Sequence, residues 1–176
     1  MQDNIFLSPH FCLKEFTESA TARKHGIVNE APPEAVENLK ALCQGTLEPL
    51  REALGLPVVI TSGFRTKALN SILAHASDKS LHVVGRAADF YVSSAGFKLQ
   101  DAGFKSEPTR RELLIKAFRL ILQEPEIDFD QLILYPTFIH VSFVSKEKNR
   151  RGILLARRDG KLGYGRITLA NALKIS

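Results

Sequence analysis

An α+β fold, with helices flanking a small, mostly antiparallel sheet, is what this sequence predicts, and three observations predict it. Apolar residues recur at helical spacing in two segments, 36–54 and 113–121. Short apolar runs bounded by turn residues, the mark of strands, lie between and after them. No internal repeat or low-complexity tract intervenes, and 176 residues, 44% of them apolar, suffice for one substantial core and not for two ordinary domains. A single domain over 1–176 is expected.

Each element follows from its own pattern. Val36, Leu39, Leu42, Cys43, Leu47, Leu50 and Leu54 form one stripe, entered through Pro32-Pro33 and closed by Gly55. Gly45 and Pro49 are expected to kink or divide that helix. Val58–Thr61 reads as a strand, Thr66–Ala74 as a short helix and Ala87–Val92 as a second strand. Ser93–Ser106, polar and carrying Gly96 and Gly103, reads as a surface loop of a length that often borders binding sites. Thr109-Arg-Arg-Glu112 is a capping-box pattern ahead of Leu113, Leu114, Ala117, Phe118 and Ile121, a further helix. Phe129–Leu134 and Phe138–Val144 are expected to be antiparallel strands joined across Tyr135-Pro-Thr137. Ile153–Leu155 followed by Arg158-Asp-Gly-Lys161 suggests a last hairpin.

Composition narrows the function classes. Lys plus Arg (24) exceed Asp plus Glu (19), a formal charge of +5 that favours anionic surroundings without choosing among them. The basic runs at 146–151 and 157–158 contain no interleaved aromatics of the kind that stack on bases, so nucleic-acid binding is disfavoured and solvated surface is expected. Cys12 and Cys43 form no C-x-x-C pair, which argues for two buried free thiols rather than a disulfide framework or a thiolate zinc cluster. The first residues lack the basic start and apolar stretch of a secretory signal, and nothing later is long enough to span a bilayer. The expectation is a soluble product made in the cytoplasm, reaching the cell wall through a lysis system, with no membrane insertion.

Two imidazoles and a carboxylate stand out: His82 and Asp89 within Ser80–Phe90, and His140 within Thr137–Phe143. Two His and one carboxylate leave a fourth position open on zinc, the arrangement of catalytic rather than structural sites. Alternation along a strand puts Phe138, His140 and Ser142 on one face and Ala87, Asp89 and Tyr91 on one face, so carboxylate and imidazole can meet over one sheet. His82 and Asp89 are seven positions apart, an odd number that would part them on a fully extended chain; Gly85 supplies the bend that reunites them. His10, His25 and His75 fall outside this pattern and are expected to be ordinary surface or loop histidines.

On these residues the chain resembles the zinc D-alanyl-D-alanine carboxypeptidase family, within the superfamily of lysostaphin-type and hedgehog-type zinc domains. Ser62-Gly-Phe-Arg-Thr66 followed by Leu69-Asn70 is similar to the family's S-G-[YF]-R-[ST]…L-N segment, Ser80–Asp89 to its S-x-H-x-x-G-x-A-x-D signature, and His140 to its last ligand, with Phe138 in place of the usual Trp. The likeness runs from about Phe11 to Ser145. It implies a hedgehog/DD-peptidase-like fold with the zinc site on the sheet, zinc on His82, Asp89 and His140, and peptidoglycan stem peptides or related D-amino-acid peptides as substrates. It further implies that Arg65 steadies charge developing on the substrate carbonyl, a role suited to a permanently charged fork of donors, and that Ser80 contacts substrate.

One position departs from the family pattern. Active members carry Glu or Asp three residues before the last His ligand, as general base; here that residue is Thr137. Asp130 is the nearest substitute if a hairpin centred on Pro136 brings it to the His140 face. Two readings follow: a zinc peptidase of cell-wall peptides, or a non-catalytic module of the same fold that binds a peptide or partner without cutting it.

Overall fold

The computed structural model describes residues 5–74, 76–95, 106–156 and 164–175. A two-stranded ribbon of β1 (Phe6–Ser8) and β2 (Phe11–Cys12) leads through short helices α1 (Leu13–Thr17) and α2 (Ala20–Lys24) into α3 (Pro33–Leu42) and α4 (Glu48–Leu54). β3 (Val58–Ser62), α5 (Lys67–Ile72), β4 (Ala87–Val92) and α6 (Arg110–Gln123) follow. The chain continues with β5 (Gln131–Leu134), β6 (Ile139–Ser142), β7 (Gly152–Ala156), β8 (Tyr164–Arg166) and α7 (Leu169–Ala172). The fold is mixed α+β, as expected. Its main sheet has six strands in the order β3-β4-β6-β5-β7-β8, antiparallel throughout except for the parallel pair β5 and β7.

The expected division of the long apolar stripe is a π-helical turn, Cys43–Leu47, between α3 and α4. A wide turn leaves backbone groups to be satisfied elsewhere: the Gly45 carbonyl accepts from Asp128 N at 3.0 Å, and Thr46 Oγ1 donates to the Asp128 carbonyl. Gly45 is required here because a Cβ would stand 2.7 Å from the ring of Phe143. Gly55 then ends α4 in the left-handed conformation.

One face of the sheet is core. Ala88, Phe90 and Val92 of β4, Leu132 and Leu134 of β5, and Ile139 and Val141 of β6 are buried against α4 and α6, whose inward residues include Leu50, Leu54, Leu114, Phe118 and Ile121. Helix α6 begins with the capping box read from Thr109 and Glu112. The alternate residues of β4 and β6 are thereby committed to the other face, and that face carries the site.

Some expectations are corrected. Cys12 is partly exposed; only Cys43 is buried, and both thiols are free. His10 is exposed in the β1–β2 turn, as expected, and its Nδ1 also pairs with Glu48, a buried carboxylate that accepts from Ser8 Oγ at 2.6 Å. Arg150 and Arg151, expected as solvated charge, are ion-paired with Asp130 and Asp128. β7 and β8 pair as the last hairpin requires, although its turn lies outside the described residues, as do most of the 93–106 loop, His75 and Arg157-Arg158. Among the described residues no helix is long and apolar enough to cross a membrane.

Candidate metal centre

The strand register assembles the site. Ser62, Asp89, His140 and Ile133 are successive partners across β3, β4, β6 and β5, so the carboxylate and imidazole are neighbours on the face opposite the core. His82 arrives from outside the sheet, on a 3-10 turn, Leu81–Val84, that ends at Gly85 with φ +72°. A Cβ on Gly85 would lie 2.4 Å from the Ala35 carbonyl oxygen, so the turn needs glycine for both its backbone angle and its approach to α3. The bend expected at Gly85 is the device that brings His82 over Asp89.

The Ser62–Thr66 segment braces that turn. The Gly63 carbonyl accepts from His82 Nδ1 at 2.6 Å, and Arg65 N donates to the His82 carbonyl at 3.1 Å. Gly63 has its own steric reason, since a Cβ would stand 2.6 Å from Phe16 Cα. Asn29 holds the segment from behind, accepting from Thr66 N at 2.8 Å and donating to the carbonyls of Phe64 and Thr17. Asn70 ties the far end, donating to the Ser77 carbonyl at 3.0 Å and so fixing the strand of loop that leads to Ser80.

The donor atoms form a compact triangle. Asp89 Oδ1 lies 2.8 Å from His140 Nδ1 and 3.4 Å from His82 Nε2, and the two ring nitrogens are 3.3 Å apart. Ligands ~2.0–2.1 Å from a tetrahedral ion stand roughly 3.3 Å from one another, so the triangle has the dimensions of one tetrahedral face. The other carboxylate oxygen, Asp89 Oδ2, accepts from Arg65 Nη2 at 2.9 Å, while Arg65 Nε donates to Ser62 Oγ at 3.0 Å.

Protonation states suit a cation. Burial pushes the His82 pKa down despite the nearby Asp89, so the ring is neutral at pH 7. With Nδ1–H donated to Gly63, its Nε2 lone pair faces Asp89 and His140, the orientation that a carbonyl partner typically imposes on a metal-ligating imidazole. Burial opposes ionisation of Asp89, but the imidazoles beside it, with the hydrogen bond from His140 Nδ1, outweigh that penalty and hold the carboxyl well below the usual range. The three side chains could thus hold a metal ion.

A cleft of about 880 Å³ opens over the triangle, lined by Arg65, Ser80, His82, Asp89 and His140 among others. The three ligand candidates, Arg65 and Ser80 therefore line one cleft. Phe138, in the usual Trp position, lines the cleft and stacks on Tyr135 with ring centroids 4.3 Å apart. Thr137 is exposed in the β5–β6 turn and contributes nothing to the lining. Asp130 is a correction: Gln131 pairs with Ser142, which sets Asp130 just beyond the end of β5, where its buried carboxylate meets Ser142 Oγ and Arg150 rather than the cleft. Among the described residues Asp89 is the single carboxylate lining the cleft.

Sequence reasoning missed Asn29, Gln131 and Arg150. Asn29 is a lone polar residue with no neighbouring pattern to mark it, and Arg150 was indistinguishable from its basic neighbours.

A mixed α+β scaffold with a two-His, one-carboxylate triangle on the open face of its sheet and an arginine beside the carboxylate describes a class of metal-dependent hydrolases. Over residues 9–121 the chain matches the sequence profile of Peptidase M15, and it belongs to that family of zinc D-Ala-D-Ala carboxypeptidase-type enzymes. Arg65, Ser80, His82 and Asp89 fall within the matched residues; His140 lies beyond them and joins the site through the β4–β6 register. A search of the curated proteins finds none that matches.

Proposed function

We propose that this protein is a zinc metallopeptidase that hydrolyses peptide bonds in peptidoglycan stem peptides, in the manner of a D-Ala-D-Ala carboxypeptidase, on a hedgehog/DD-peptidase-like fold of one domain. The observation that carries the reading is the triangle of His82 Nε2, Asp89 Oδ1 and His140 Nδ1 beneath a cleft that also holds Arg65. Family membership supports zinc and peptidoglycan peptides as a class; the particular bond is our inference.

Zinc, when bound, supplies a Lewis acid and brings the pKa of a water to roughly 7. The rest is the work of the chain. Gly63 and Arg65 fix the tautomer and angle of His82 through their backbone bonds. Arg65 occupies Asp89 Oδ2 and so leaves Oδ1 to the metal. Its guanidinium lines the cleft beside the triangle, placed to donate to an oxyanion forming on a peptide carbonyl, and its charge does not depend on pH in the working range. Ser80 offers its hydroxyl along the wall next to the substrate backbone.

A second reading is favoured by one specific observation. Thr137 replaces the family carboxylate, and no further carboxylate among the described residues lines the cleft. On that reading the protein binds cell-wall peptides and does not cut them. Incubating the zinc-loaded protein with purified muropeptides and following the products by mass spectrometry separates the two: release of D-Ala or a shorter peptide that stops on chelation supports the peptidase, and chelator-sensitive binding without any product supports the binding module.

A further inference from the structure

We infer that Arg150 selects the substrate: it presents a fixed guanidinium at one end of the cleft that takes a carboxylate of the bound peptide, about three residues from the scissile bond. The inference rests on the reading that the peptide lies along this cleft with its scissile bond at the metal triangle.

The geometry around Arg150 is costly for a surface ion pair. Asp130 is 1% exposed, yet its carboxylate receives Arg150 Nε at 2.7 Å, Nη2 at 2.5 Å and Arg150 N at 3.1 Å, with Ser142 Oγ at 3.3 Å. A buried carboxylate is expensive to desolvate and is compensated here by a two-pronged arginine. The arginine side chain, by contrast, is 65% exposed and lines the cleft. Its Nη1 meets no acceptor among the described residues, so the fork is held on one side and open on the other.

Both flanks of Arg150 are pinned as well. Asn149 accepts from Val144 N and donates to Asp128, both at 2.8 Å. Arg151 adopts φ +48°, rare for a residue with a Cβ, and is kept there by an ion pair to Asp128 at 2.9 Å and by its position 4.6 Å over the Phe129 ring. A loop fixed this firmly gives Arg150 one orientation, which lowers the entropy lost when a ligand binds.

Charge and distance name the ligand. Arg65, Lys79 and Arg150 line the cleft against a single anion, Asp89, which Arg65 already engages. Asp130 lies three residues along the strand direction from Ile133, the partner of His140, so Arg150 is anchored roughly 10 Å from the triangle. An extended peptide covers that span in about three residues at ~3.4 Å each.

The test uses the zinc-loaded full chain and neutral peptides ending in D-Ala-D-Ala, in which Gln is replaced by Glu at the second, third or fourth residue before the scissile bond. Equilibrium dissociation constants are read for each, together with product formation. The wild type is expected to prefer Glu over Gln about tenfold, most strongly at the third residue, the size of one charge-assisted contact. Arg150→Gln should reduce that ratio to about one and Arg150→Lys to an intermediate value. Lys148→Gln, an exposed charge on the same loop outside the cleft, should keep it. Equal binding of Glu and Gln peptides by the wild type, or a preference surviving in Arg150→Gln, overturns the inference. If the Glu preference runs through Arg150 but no peptide is cut, the peptidase reading fails alone; if all peptides are cut with no preference, this inference fails alone.

Discussion

Arg65 Nη2 donates to Asp89 Oδ2 at 2.9 Å while the other oxygen of the same carboxylate faces both imidazoles. The arginine assigned to transition-state charge is thus also the group that orients a candidate metal ligand. Its removal has two consequences. Arg65→Ala should lower turnover by roughly 10²–10³-fold, as loss of a preorganised donor does, and should weaken zinc affinity by about 10–100-fold, as loss of a group that orients a ligand does. Competition against a chromogenic chelator, read beside kcat at saturating zinc, separates the two effects. Unchanged zinc affinity would confine Arg65 to the substrate.

The turn carrying His82 makes a steric prediction. Gly85→Ala puts a Cβ at φ +72° and 2.4 Å from the Ala35 carbonyl oxygen, so it should cost more than about 2 kcal/mol in urea unfolding and weaken zinc binding. Gly55→Ala is the control: its φ is +63° with nothing within 4 Å, so only the backbone cost of roughly 1–2 kcal/mol is expected, with zinc binding intact.

Acid stability tests the Asp130 anchor. Burial would raise the Asp130 pKa, but hydrogen bonds and charge from Arg150 outweigh it and hold the group below its ordinary value. A carboxyl depressed on folding contributes stability that is complete above its unfolded pKa and fades as pH falls through the folded one. Asp130→Asn should therefore be about 1–3 kcal/mol less stable than wild type at pH 7, with the gap narrowing only below about pH 4. A gap constant down to pH 2 would show that the charge contributes nothing.

Thr137 tests the missing base. General-base catalysis contributes ~10²–10⁴-fold, so native hydrolysis should be weak; the Thr137 hydroxyl stops short of the cleft lining, and Thr137→Glu, whose carboxylate reaches further from the same turn, should raise hydrolysis by about 10²-fold or more. Asp130→Asn should leave the acid limb of the pH–rate profile where it is, because Asp130 faces Arg150 and Ser142. Vigorous native hydrolysis indifferent to Thr137→Glu would place the proton acceptor elsewhere.

What the sequence disclosed depended on whether the signal was local. The β4 and β6 faces followed from alternation alone, because one face of each strand is uniformly apolar, and the α6 start followed from a four-residue capping pattern. The role of Gly85 was legible because an odd spacing between His82 and Asp89 demanded a bend. Asp130 was misplaced because its side depends on where β5 begins to pair, a register that no residue in the hairpin announces. Asn29 and Arg150 act through partners 37 and 20 positions away in the chain, and separations of that kind leave no periodic trace.

The most direct test of the central claim is zinc stoichiometry together with the anomalous signal of a zinc-loaded crystal. About one zinc per chain is expected, within ~2.0–2.2 Å of His82 Nε2, Asp89 Oδ1 and His140 Nδ1, with loss of that zinc in His82→Ala, Asp89→Ala and His140→Ala chains that remain folded. A zinc-free protein at saturating metal, or an ion bound away from these three side chains, would contradict it.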